Sequence, residues 1–107
     1  MQEIIMKDKE LEQDAIRGLA LLVAISKIHK PRLTQLQYVL DCEPGKVKQI
    51  ISDMEGVGVV FSFDTVGDTE SYEIIDTGII DIPQVSYIVQ ELCPGIYDQI
   101  IEASHLH

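Results

Sequence analysis

Residues 33–63, LTQLQYVLDCEPGKVKQIISDMEGVGVVFSF, decide the fold. Leu36, Val39 and Leu40 recur at the three-and-four spacing of a short helix, and Thr34 is placed to cap its start. Asp41-Cys42-Glu43 forms a tight turn. Pro44 suits the first position of a new helix, where its missing N–H costs nothing. Across 44–55, Val47, Ile50, Ile51 and Met54 share one face, and Gly56 and Gly58 supply the left-handed backbone that stops the helix. The period then drops to two, with Val59, Phe61 and Phe63 alternating with Val60, Ser62 and Asp64.

Working outward, Tyr72 and Ile74 alternate with Glu73 and Ile75. The polar stretch 65–70, with Gly67 at its centre, joins the two runs into a β-hairpin over 59–76. Upstream, residues 8–29 predict a long first helix, with Leu11, Ala15, Leu19, Leu22 and Ser26 on one stripe and Ile16, Val23 and Ile28 widening it. From Leu19 to Ile25 this helix is apolar all round, so it is covered on more than one side, and a second copy of the chain is the expected source of part of that cover. Pro31 ends it. Downstream, Asp81 and Gln84 fit a capping box, followed by the stripe Val85, Ile88, Val89 and Leu92. Pro94 opens a last helix with Ile96, Ile100 and Ile101 along one side, so that helices fill 81–104. The expectation is one domain over 1–107, α+β and mostly helical. Its three-helix core with a helix-turn-helix over 33–55, a hairpin and additional C-terminal helices has the element order of a winged helix.

Composition narrows the function. The 107 residues are 46% apolar and 24% charged, which is ordinary for a folded domain and unlike a disordered one. The longest apolar run, Leu19 to Ile25, is far too short to span a bilayer, so no membrane role is expected. No basic stretch precedes a long apolar core, so a secretion signal is not expected. Cys42 and Cys93 form no CxxC pair and no disulfide framework, which fits a reduced, cytoplasmic protein. With no Trp and six aromatics, a stacking platform for single strands is not expected.

The net charge is −10, which opposes a broad grip on nucleic acid. Its distribution matters more. Residues 1–48 hold all eight Lys and Arg with seven acids, whereas residues 49–107 hold eleven acids and neither Lys nor Arg. Residues 27–48 carry a local +3 and include the start of helix 44–55. If the apolar face of that helix packs inward, Gly45, Gln49, Ser52 and Asp53 point outward, flanked by Lys46 and Lys48. Gln49 suits an adenine edge, and the lysines suit phosphate or guanine. Lys30, Arg32 and Thr34 lie just upstream as phosphate holders. The expected partner is therefore double-stranded DNA, bound by a homodimer formed through Leu19, Leu22, Val23, Val85, Ile88 and Leu92. The hairpin tip, with Asp64, Asp68 and Glu70, does not suit a DNA backbone. The alternative is a protein-interaction module that uses the acidic second half, because fold alone does not set function.

Three stretches resemble a small family of bacterial winged helix-turn-helix proteins, largely uncharacterised, over about residues 15–92. They are the helix pair Leu33 to Met54 running into Gly56-Val57-Gly58, the hairpin end Tyr72-Glu73-Ile74-Ile75, and Asp76-Thr77-Gly78-Ile79-Ile80-Asp81. The last is similar to that family's aspartate-tryptophan-glycine turn, with Thr77 in the tryptophan position. Gly45 and Lys46 stand where the family has an arginine. The resemblance implies a winged-helix fold, dimers and DNA binding in transcription regulation, and brings no catalytic residues.

Other clusters carry less. Cys42 sits in the helix-helix turn, where a redox switch is conceivable, but a buried inert thiol is the default reading. Cys93 precedes Pro94 and caps the last helix. His105 and His107 fall short of the four ligands of a closed zinc site and read as a terminal tail. Asp8, Glu10, Glu12 and Asp14 suit an exposed helix start. There is no phosphate loop and no nucleophile-base pattern, so neither an enzyme nor a cofactor is expected.

Overall fold

A computed structural model has, among the described residues, three helices, a two-stranded antiparallel sheet and two further helices, in that order along the chain. It describes the backbone of residues 2–66 and 69–105 and the side chains of 15–65 and 70–105. The elements are α1 (Gln2–Lys27), α2 (Leu33–Leu40), α3 (Pro44–Gly56), β1 (Val60–Val66), β2 (Thr69–Asp76), α4 (Ile82–Leu92) and α5 (Pro94–Ser104). The fold is α+β and mostly helical. No helix among the described residues is long and apolar enough to cross a membrane. Asp68, Leu106 and His107 lie outside the described residues, as do the side chains of Asp8, Glu10, Leu11, Glu12 and Asp14.

α1 is the axis of the molecule. It touches α2, α3, α4, α5 and β2. At about 1.5 Å per residue its 26 residues run about 39 Å, which accounts for a body measuring 48 × 27 × 24 Å. Every side chain from Ala20 to Ile25 is buried. This corrects the expected source of cover. Leu22 and Val23 are fully enclosed within a single chain and Val85 is 8% exposed, so the first two offer no surface to a second copy and the third offers little. The all-round apolar run is explained by the chain's own helices closing on it. Leu19 and Ile88 are half-buried, and only Leu92, at 62% exposure, is open.

α1 stops at Lys27, before the expected 29. The chain then passes through Lys30 in a left-handed conformation (φ 45°) and lays Pro31-Arg32 along β2. The Tyr72 N–H donates to the Pro31 carbonyl at 3.0 Å, and Arg32 bridges Ser71 in antiparallel sense. Arg32, and not Thr34, is the cap residue of α2. Its N–H donates to Gln35 Oε1 at 2.9 Å, and Thr34 lies inside the first turn.

The helix pair follows the periodicity. α2 buries Leu36, Val39 and Leu40, and α3 buries Val47, Ile50 and Ile51 with Met54 half-covered. α3 crosses α1 at Gly18, where an added Cβ would stand 2.7 Å from Met54 Cε. The turn between the helices uses Asp41 at φ 52°, a left-handed conformation Asp tolerates better than most residues.

β1 and β2 pair in a register that sets Phe61 against Ile74 and Phe63 against Tyr72, with a bulge between Val60 and Phe61. The rings of Phe63 and Tyr72 meet edge-on, 5.2 Å apart. Gly78 closes the hairpin end at φ 65°. A Cβ there would lie 2.9 Å from the Gly58 carbonyl oxygen, so both the dihedral and the close approach demand glycine. Its N–H donates to Asp76 Oδ1 at 2.8 Å. At α4 the Asp81 carboxylate accepts the Gln84 N–H at 3.4 Å, and Cys93 serves α5 as cap residue through its backbone, its carbonyl accepting the Tyr97 N–H.

Candidate nucleic-acid interface

α3 presents an open stripe because its apolar residues are all drawn to one side. Val47, Ile50 and Ile51 anchor it on α1 and α2, which leaves Gly45, Lys48, Gln49 and Ser52 exposed at helical spacing. Pro44 occupies the first turn, and the Glu43 carbonyl accepts the N–H groups of Lys46 and Val47 at 3.0 and 3.1 Å. No acid lies between Pro44 and Ser52; Asp53 and Glu55 follow on the exposed far end.

Lys48, though more than half exposed, has a partner. Its ammonium lies 3.7 Å from Glu70 Oε2 on β2. The same oxygen accepts the Tyr72 hydroxyl at 2.7 Å. The ring of Tyr72 is buried, and burial first, then the bond to Glu70, push its phenol far above the ordinary value of 10.0. Glu70 therefore ties the hairpin to the exposed face of α3. Sequence reasoning placed Glu70 among the adverse charges of the hairpin tip and missed it as the partner of Lys48. The two residues are 22 positions apart, and only the hairpin's placement beside α3 brings them together.

The remaining expected contacts do not form one surface. Lys46 is half-buried, and its charge and that of Arg17 act on Cys42 in the α2–α3 turn. Lys30 borders a hollow of about 250 Å³ on the hairpin with Asp64 and Glu73. Thr34 lines a groove of about 300 Å³ between α2 and α5, whose α5 wall carries Glu102. Arg32 is exposed between these positions. The α3 stripe is the coherent part of the site, and the flanking residues spread around it.

Cys42 does not have the character of a reactive thiolate. Burial pushes its thiol above the ordinary value, and although Arg17 and Lys46 pull it down, Asp41 adds to the rise. Burial raises Cys93 in the same direction.

No protein-family model, curated protein or solved structure matches the chain.

Proposed function

We propose that the chain is a winged-helix protein that binds double-stranded DNA as a dimer and regulates transcription, with α3 entering the major groove. The observation that carries this reading is the exposed stripe Gly45, Lys48, Gln49 and Ser52, free of acids over the first turns of a helix that follows a tight helix-helix turn and precedes a hairpin. Pro31-Arg32 laid against β2 supports the same architecture, because it braces the hairpin next to the helix pair. Gly45 admits a sugar-phosphate backbone closely, Gln49 pairs with an adenine edge, and Lys48 exchanges Glu70 for a phosphate. Arg32 holds a second phosphate. Asp53, Glu55 and Asp64 confine the contact to the start of α3 and keep the hairpin off the DNA backbone. Two copies join across α4, where Tyr87 and Leu92 stay exposed, and their separation sets the half-site spacing. No catalytic step is assigned.

Selection from random duplexes at low salt, followed by gel shift, tests the reading. The expected result is an enriched sequence whose binding is abolished by Lys46→Glu with Lys48→Glu. Glu70→Gln, which frees Lys48, is expected to tighten binding severalfold. Recovery of no preferred sequence, or indifference to all three substitutions, overturns it.

A further inference from the structure

The hairpin has one edge that is occupied and one that is open. β2 is bonded on both sides, to β1 and to Pro31-Arg32, whereas among the described residues β1 pairs with β2 alone. The direction of the free groups follows from one bond. The Tyr72 N–H donates to Pro31, so Tyr72 points its main-chain polar groups away from β1. In an antiparallel ladder opposed residues either exchange both bonds or neither, and the pattern alternates along the strand. Phe63, which faces Tyr72, therefore turns its own N–H and carbonyl to the open side. Phe61 and Thr65 do the same, while Ser62 and Asp64 are bonded to β2.

Such an edge is a template for another strand unless it is blocked. β1 reads Val60-Phe61-Ser62-Phe63-Asp64-Thr65-Val66, with no proline and no lysine. Its bulge lies at the very start and leaves Phe61 to Val66 regular. Phe63 is 54% exposed although it sits in the sheet, and Val60 and Ile75 are similarly open. A residue opposite Phe63 would cover a ring that the chain leaves half bare.

Charge selects the occupant. Residues 49–107 contain no Lys or Arg, and the charged side chain on β1 is Asp64. Lys30 borders the hollow that Asp64 and Glu73 also line but approaches it from the Pro31 side of β2, and Lys48 is paired with Glu70. A second copy added about Phe63 would set Asp64 against Ser62, with no cation opposite either, and would bring together two chains of net charge −10. We propose that the open edge of β1 takes up an extended, basic segment of a different protein as an added antiparallel strand. The segment carries apolar β-branched residues against Phe61 and Phe63 and a Lys or Arg opposite Asp64. The inference is independent of whether α3 reads DNA.

Amide hydrogen exchange on the full ¹⁵N-labelled chain tests it. The probe is a short acetylated and amidated peptide of alternating valine and lysine; the control alternates valine and glutamate. The lysine peptide is expected to slow exchange at Phe63 and Thr65 by about tenfold or more, whereas Ser62 and Asp64 are slow beforehand. The glutamate peptide leaves Phe63 and Thr65 unchanged. Asp64→Lys weakens the lysine peptide by about tenfold while Ser62 stays protected, which shows that the hairpin is intact. Absence of protection at millimolar peptide, equal protection by both peptides, or protection that grows with protein concentration alone overturns the proposal, the last because it places a second copy on the edge. None of these outcomes bears on the gel shift, so the two readings fail separately.

Discussion

One Glu70 carboxylate serves both the Lys48 ammonium and the Tyr72 hydroxyl, and the two contacts differ in value. The ion pair is well exposed, so solvent and salt hold it to about 0–1 kcal/mol. The hydroxyl bond is anchored by a buried ring, but its acceptor carboxylate is 38% exposed, so solvent holds it toward the ordinary hydrogen-bond range of about 0.5–1.5 kcal/mol. Folding raises the Tyr72 phenol above its ordinary 10.0. Its contribution to stability is therefore complete below the unfolded value and is lost as pH rises beyond it, since only the unfolded chain then releases the proton. Urea unfolding from pH 8 to 11.5 is expected to show stability falling above about pH 10, and Tyr72→Phe is expected to flatten that fall while lowering the plateau. A profile identical in the two proteins would remove Tyr72 from this role. Nothing in the sequence disclosed it, because Tyr72 and Glu70 are simply alternate residues of a strand until their shared face is packed.

At the scale of elements, periodicity carried most of the information. The inward residues of α2 and α3 and the alternation of β1 and β2 were legible because each element buries a single face and its sequence records that face. α1 was legible as a helix but not in its surroundings. A helix that is apolar on all sides states that it is covered, and does not state by what; from Ala20 to Ile25 that cover is supplied within one chain, by the elements packed around α1. The Pro31-Arg32 bridge was invisible for another reason: two residues carry no period. Likewise Lys30 and Thr34, near Arg32 in sequence, were expected on one surface, yet the reversal at Lys30 and the first turn of α2 send them to different sides. The intrachain cover of α1 makes a quantitative claim. Leu22→Ala is expected to cost about 2–5 kcal/mol, the range for a fully enclosed leucine, and the cost should not vary with protein concentration. Leu92→Ala, on the exposed side of α4, is expected to cost less than about 0.5 kcal/mol in the monomer. Denaturant melts at two protein concentrations check both values, and a Leu22→Ala cost that shrinks on dilution would restore that residue to an interface.

Across the whole molecule the division of charge matters more than its sum. The basic residues that the structure describes lie on α1, on α3 and on the link between α1 and α2, and the hairpin, α4 and α5 carry acids only. Two opposing electrostatic effects follow. Salt weakens the Lys48–Glu70 pair, which is exposed and contributes at most about 1 kcal/mol. Salt also screens the mutual repulsion of eleven acids folded into little more than half of a small domain. At 0.02 M salt the Debye length is about 20 Å, comparable with the 24 Å and 27 Å short dimensions, so most of these acids feel one another; near 0.2 M it is about 7 Å, and they largely do not. Repulsion among many groups outweighs one solvated pair, so the melting temperature is expected to rise by a few degrees between those salt concentrations, most of it below 0.1 M. The proposed DNA binding through α3 is expected to move the other way, because each phosphate contact releases counterions and loses affinity as salt rises. With Lys48 and Arg32 as the exposed cations nearest the stripe, the slope of log affinity against log salt is expected at about −2 to −4, shallow for a DNA-binding protein. The pair of measurements separates an acidic domain stabilised by screening from a local basic contact weakened by it. A melting temperature that falls with salt would mean that specific ion pairs, and not the crowded acids, govern the electrostatics of this fold.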